Sequence, residues 1–220
     1  MKAMILAAGL GERMRPLTET CPKPLLRAGG KCLIDFHLEK LATAGFAEVV
    51  VNSAWLSKQI TDYLGDGERY GLRILHSVEG EPLETAGGII KALPLLGEEP
   101  FLLVNGDIWT DFDFARLKDC RPDSAHLVMV DNPPHNPAGD FSLGEGGRLC
   151  RGGDAALTFS GISVWQPRCF AGLPVARMAM KPRFDEALAE GSLSGEYYSG
   201  QWWDIGTPER LGNLDRYLRG

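Results

Sequence analysis

Between Gly9 and Pro24 the chain reads GLGERMRPLTETCPKP, a run of glycines, prolines and cations that follows an apolar strand-like start, KAMILAA. Gly9 and Gly11 permit close backbone approach, so successive peptide N–H groups can form a concave nest for phosphate oxygens. Arg13 adds a planar, bidentate fork and Lys23 a mobile point charge. Pro16, Pro22 and Pro24 stiffen the segment and reduce the entropy lost when it closes on a ligand. The stretch is not a dinucleotide fingerprint, because Met14 stands where a third glycine is needed, and no Gly-Lys-Ser/Thr follows as in a P-loop. At about sixteen residues it is long for a strand-to-helix connection, and such loops are usually functional. Two carboxylates stand out further on. Asp107 ends the apolar run FLLVNGD, and Asp204 lies in WWDIG beside Gly206. Either alone could be a turn residue or a helix cap.

The elements that must position these residues follow from periodicity. Segments rich in β-branched and aliphatic residues (KAMILAAG, AEVVVN, LRILHS, FLLVNGD) alternate with helical patterns (LIDFHLEKLATAG, SKQITDYLG, AGGIIKALPLLG). In the first helical pattern Ile34, Leu38 and Leu41 recur at helical spacing, and Gly45 follows where a C-terminal cap belongs. Near-continuous apolar strands separated by helices predict a parallel sheet buried on both faces, a Rossmann-like doubly wound α/β fold. In that fold ligands bind beyond the carboxyl ends of the strands. After Asp107 the rhythm changes: AHLVMV, GDFSLGEGGRLC and ALTFSGISVW read as strands joined by turns, an antiparallel addition or small lobe. HNPAGD and GEGGRLCRGGD read as exposed turns. Thr207 is the expected N-cap of a last helix with Pro208 at its first position.

Composition narrows the classes. The 220 residues are 44% hydrophobic and 24% charged, enough for a sizeable core, and one domain over residues 1–220 is expected. No apolar run reaches the length of a bilayer span, so neither a membrane partner nor an exported protein is expected, and the chain reads as cytoplasmic. Five scattered cysteines without a Cys-x-x-Cys pair indicate neither a disulfide framework nor a zinc site. The net charge of −6 argues against nucleic acid as a partner. Its distribution is uneven: residues 1–31 hold six cations against two acids, so the rest of the chain carries −10. An anion belongs at the opening segment.

AAGLGERMRPLTETCPKP resembles the signature of the sugar-1-phosphate nucleotidyltransferases, Gly-x-Gly-x-Arg-hydrophobic-x-Pro-x-Thr followed by Pro-Lys-Pro, at each marked position. The resemblance continues in the family's order through EGEPLETAGGI, LLVNGDIWTD, FSGISV and GQWWDIGTPERL. It implies transfer of a nucleotidyl group from a nucleoside triphosphate to a sugar 1-phosphate, with release of pyrophosphate and no protein nucleophile. It further implies that Asp107 and Asp204 are ligands of a magnesium ion, a hard cation held by carboxylates, phosphates and water. Lys23 and Arg13 become the catalytic cations, Lys23 at the α-phosphate. The backbone of Ala8, Gly9, Gly11, Glu12 and Arg13 would hold the departing phosphates. Glu79, with Glu81 as an alternative, matches the base-reading position, where a carboxylate can accept the imide N–H of uracil or thymine but also the N–H groups of guanine. Gly87 and Gly88 open a helix whose N-terminus could also face the ligand. Asn105 and Asp140 suit sugar recognition, although both could serve only their own turns. Lys181 is a weaker candidate for the sugar phosphate, and Trp202 and Trp203 read as core and wall. The nucleotide-binding half would span about 1–110 and the sugar-binding lobe about 111–220. Within the family the chain looks most like a uridylyltransferase, so UTP and a sugar 1-phosphate are the expected partners and a monomer or homodimer the expected state. Guanylyl or thymidylyl transfer, or a nucleotide-sugar-binding regulator without turnover, are the alternatives.

Overall fold

A computed structural model of the chain describes residues 1–152 and 156–220. The first half runs β1 (Lys2–Leu6), a hairpin of β2 (Arg27–Ala28) and β3 (Lys31–Cys32), α1 (Leu33–Thr43), β4 (Glu48–Ser53), α2 (Ser57–Leu64), β5 (Arg73–Val78), α3 (Glu84–Leu96) and β6 (Phe101–Asn105). The second runs β7 (Ile108–Thr110), β8 (Ala125–Val130), β9 (Phe141–Leu143), β10 (Leu149–Cys150), β11 (Ala156–Trp165), α4 (Lys181–Ala189), β12 (Leu193–Tyr197), β13 (Trp202–Asp204) and α5 (Pro208–Arg219).

Strands β5, β4, β1 and β6 lie side by side and parallel. β11 then joins β6 antiparallel, and β8 and β12 extend the sheet beyond it. The start of β11 turns away to pair with β9, which pairs with β10. This is the expected mixed α/β architecture with a parallel centre and an antiparallel arm. The predicted turn ending in GGD runs past residue 152, so its last residues lie outside the described ones.

The centre of the sheet is buried on both faces because the middles of β1, β4 and β6 are apolar at successive positions, whose side chains point opposite ways. Ala3 and Ile5 of β1, Val49 and Val51 of β4, and Leu102 and Val104 of β6 belong to one core with α1. Their neighbours Met4, Val50, Phe101 and Leu103 belong to a second core with α3. A third, smaller core joins Met14 of the glycine loop to Ile205, Leu211 and Leu214 at and in α5. The predicted caps are present. Gly45, at φ 77°, follows the end of α1, and the Phe46 N–H returns to the Leu41 carbonyl. Thr207 accepts the Arg210 N–H at the start of α5, and Pro208 is its first residue.

His37 of α1 is buried against Phe114, with no partner for its Nε2 among the described residues. Burial is the main cause that pushes its pKa down to about 4, against weaker opposing effects of the Ile108 backbone and Asp107. The folded state therefore holds His37 neutral, while the unfolded chain binds a proton near pH 6.5. Stability from this residue is complete above pH 6.5 and is lost as the pH falls toward 4, with a slope of up to about 1.4 kcal/mol per pH unit. Urea melts of wild type and His37→Leu across this window test the point: the variant should lose close to one proton's worth of slope, and identical slopes would refute it.

Candidate active site

The carboxyl ends of β1 and β6 open on a cleft of about 610 Å³. One wall is the glycine loop, which forms three short 3₁₀ turns, Glu12–Met14, Leu17–Glu19 and Lys23–Leu25. Gly11 sits at φ 64°, a conformation that a side chain disfavours. Its carbonyl accepts the Met14 N–H at 2.8 Å and the Thr18 hydroxyl at 2.7 Å. Trp55 Nε1 donates to the Thr18 carbonyl, and Met14 is completely buried beneath the loop. The loop is thus held from below, with Ala8, Gly9, Gly11, Glu12, Arg13 and Lys23 all lining the cleft.

Asp107 lies in the two-residue turn between β6 and β7, and its Oδ2 is 2.8 Å from Lys23 Nζ. The lysine side chain is only 11% exposed, so its charge needs this partner in the absence of substrate. Asp204 ends β13, which pairs antiparallel with β7 and sets Asp204 opposite Ile108. The Ile205 N–H donates to the Asp107 carbonyl at 2.9 Å. Two residues 97 positions apart are therefore bound to neighbouring strand ends by one short ladder. Asp204 Oδ2 is taken by Arg210 Nη1 at 2.6 Å and lies 2.9 Å from His135 Nε2. The Oδ1 atoms of both aspartates accept no hydrogen bond among the described residues. Among the described residues no three His, Cys, Asp or Glu side chains converge into a cage. Two carboxylates with one open oxygen each fit a hard cation that draws its remaining ligands from phosphates and water.

Glu79 stands apart from the reading given it above. It is 8% exposed and does not line the cleft. Its Oε1 accepts from Asn52 Nδ2 at 2.6 Å, and its Oε2 from the Leu83 N–H at 2.9 Å. Asn52 Oδ1 in turn accepts the Ala7 N–H at 2.8 Å. The carboxylate is occupied in tying the 79–83 turn to the start of the glycine loop, and a Cβ on Gly88 would stand 2.6 Å from Glu79 Oε1. Asn52 was missed because an amide at a strand end looks like any turn residue. In the first turn of α3 the Ala86 and Gly87 N–H groups both donate to the Met178 carbonyl, while Glu84 and Thr85, at the start of the helix, line the cleft.

On the sugar side, Asn105 lines the cleft and its amide lies against Gly161 of β11. Asp140 lies away from the cleft lining, exposed, with Oδ2 accepting the Phe159 N–H at 2.8 Å. It fastens the 131–140 loop to β11, as a turn residue would. Lys181 is paired with Asp185 on exposed α4. Trp202 is half-buried and donates to the Ser160 carbonyl, and Trp203 packs on Tyr217, so both act as wall and core.

The profile of the nucleotidyl transferase family matches residues 2–143, the span that contains the loop, Lys23 and Asp107. The chain belongs to that family. An N-acetylmuramate alpha-1-phosphate uridylyltransferase of Neisseria meningitidis is 51% identical, over 96% of this chain and 95% of that one. A protein of the same description from Caulobacter vibrioides is 34% identical over 94% of this chain and 92% of its own length. The fold matches a Bacillus anthracis structure described as a glucose-1-phosphate thymidylyltransferase, with a TM-score of 0.86 at 19% identity, covering 100% of this chain and 95% of that one. As a member of the family the chain is an enzyme of nucleotidyl transfer on a sugar 1-phosphate. No helix among the described residues is long and apolar enough to cross a membrane.

Proposed function

We propose that the chain transfers the uridylyl group of UTP to N-acetyl-α-muramate 1-phosphate, giving UDP-N-acetylmuramate and pyrophosphate with magnesium as the cofactor. The observation that carries the choice of substrates is the 51% identity, along essentially the whole chain, to a relative named for that reaction. Cell-wall recycling in the cytoplasm is the setting in which such a reaction is useful.

The chemistry follows from charge. Two polyanions must approach, and the attacked phosphorus is shielded by negative oxygens, so neutralisation and positioning are the main tasks. The backbone N–H groups of Gly9 to Arg13 and the Arg13 guanidinium take the β- and γ-phosphates. Lys23, kept in place at 2.8 Å by Asp107, takes the α-phosphate and stabilises the charge that builds there. Asp107 and Asp204 would hold magnesium, whose charge would further neutralise the phosphates. A phosphate oxygen of the sugar attacks in line, and pyrophosphate leaves toward the Arg13 side. Residues 1–110 serve the nucleotide and 111–220 the sugar, with Asn105 at the boundary.

A matrix of UTP, dTTP, GTP and ATP against the 1-phosphates of N-acetylmuramate, N-acetylglucosamine, glucose and mannose, read by pyrophosphate release, tests the substrates. UTP with the muramate is expected to give the highest kcat/KM. A maximum at GTP with mannose 1-phosphate or at dTTP with glucose 1-phosphate would replace this reading, and no release from any pair would support a binding protein.

A further inference from the structure

Arg210 lies near the end of the segment GQWWDIGTPERL, six residues after Asp204, and, although it does not line the cleft itself, its guanidinium reaches that aspartate. Its Nη1 donates to Asp204 Oδ2 at 2.6 Å and lies 3.4 Å from His135 Nε2. Its side chain is only 26% exposed. Gly206, which lines the cleft, is the point on which three charged groups converge. A Cβ there would lie 3.0 Å from Arg210 Nη1, 3.1 Å from Asp204 Oδ1 and 3.3 Å from Arg13 Nη2. Two guanidinium groups thus meet over a bare Cα, with a single carboxylate between them. Arg13 makes no side-chain hydrogen bond or ion pair among the described residues, which leaves its fork of donors open. Among the described residues, Arg210 has Nη1 on Asp204 and near His135 and makes no other side-chain hydrogen bond.

We infer that Arg210 is a further substrate-binding residue of this site: with Arg13 it forms, over Gly206, a seat for a pair of anionic oxygens. One nitrogen of each guanidinium faces this point, Nη1 of Arg210 and Nη2 of Arg13, so each can donate to one of two oxygens on the same phosphorus or carbon. The bond to Asp204 aims the Arg210 fork before ligand arrives, so little entropy is lost on binding. The absence of a side chain at Gly206 leaves room for the oxygens. The seat lies beside Arg13, so its occupant is the pyrophosphate end of the nucleotide or an acid group on the sugar phosphate. This inference rests on the transfer reaction proposed above for the identity of its occupants, although the seat itself rests on the geometry.

Two variants, Arg210→Gln and Arg210→Lys, compared with wild type separate the outcomes. Binding of inorganic pyrophosphate is measured by calorimetry without divalent metal. KM and kcat are measured for UTP with sugar 1-phosphates that carry a carboxylate (N-acetylmuramate) or lack it (N-acetylglucosamine). Arg210→Gln is expected to weaken pyrophosphate binding at least tenfold, with a melting temperature near that of wild type. Arg210→Lys should recover only part of the loss, since a point charge replaces a fork. A rise in KM confined to the carboxylate-bearing sugar, with pyrophosphate binding unchanged, assigns the seat to the acid of the sugar. Unchanged pyrophosphate binding together with equal effects on both sugars would overturn the inference and leave Arg210 as a mere support for Asp204. If wild type turns over neither sugar yet its pyrophosphate binding still depends on Arg210, the substrate reading fails and the seat stands.

Discussion

Asp107→Asn lowers kcat by about 10²–10³-fold while the protein remains folded. The substitution keeps the shape of the side chain and removes its charge, so it separates chemistry from packing. Two functions are lost together. One is the carboxylate that lines the cleft at the end of β6. The other is the 2.8 Å partner that holds Lys23 in position. The fold tolerates the change because the Asp107 side chain is 39% exposed and lies beyond the hydrogen-bonded part of β6. The measurements are pyrophosphate release over a range of magnesium concentrations and a thermal melt. Loss of turnover with a shift of the magnesium midpoint to higher concentration is the expected pair of results. Activity within threefold of wild type would remove Asp107 from the site.

Glu79→Gln produces a different pattern, a loss of stability of about 1–3 kcal/mol with a rise in the KM for nucleotide and little change in base preference. The glutamate accepts two donors, Asn52 Nδ2 and the Leu83 N–H, from opposite oxygens. A glutamine has only one acceptor oxygen, so in either orientation its own amide N–H₂ must face one of those donors. The site is buried and Gly88 is packed against it, so the side chain has no alternative position. The strain passes through Asn52 to the Ala7 N–H, and so to the root of the glycine loop. Urea melts and a comparison of UTP, dTTP and GTP as substrates check this. A base-reading Glu79 would give the opposite pattern, with altered base preference at unchanged stability, and that result would return the residue to the nucleotide pocket.

Glu79 also marks the limit of what a sequence discloses. The alternation of apolar strands and helical patterns up to Asp107 carries the doubly wound core, because burial on both faces requires unbroken apolar strands and the helix period is readable from Ile34, Leu38 and Leu41 alone. The caps at Gly45 and Thr207 are equally local, since each depends on the chemistry of one residue and its near neighbours. The cations of the glycine loop and the two aspartates were legible for a related reason. Charges and glycines at fixed spacing beyond an apolar strand have few structural uses.

What could not be read depends on contacts distant in sequence. Whether a buried carboxylate meets a ligand or a backbone N–H is decided by which segment packs beside it, and for Glu79 that segment is the end of β4 at Asn52. Asp140 and the N–H groups of Ala86 and Gly87 follow the same rule, the first spent on Phe159 and the others on Met178. Arg210 is the converse case: a residue of GQWWDIGTPERL with no role read for it, brought to Asp204 because the pairing of β7 with β13 sets the start of α5 beside Asp107. By itself the sequence determined the fold class and marked the glycine loop and the two aspartates as the candidate site. Only the tertiary structure decided which of the remaining polar groups are free to meet a substrate, because a hydrogen-bond donor or acceptor is available only when no neighbour has already claimed it.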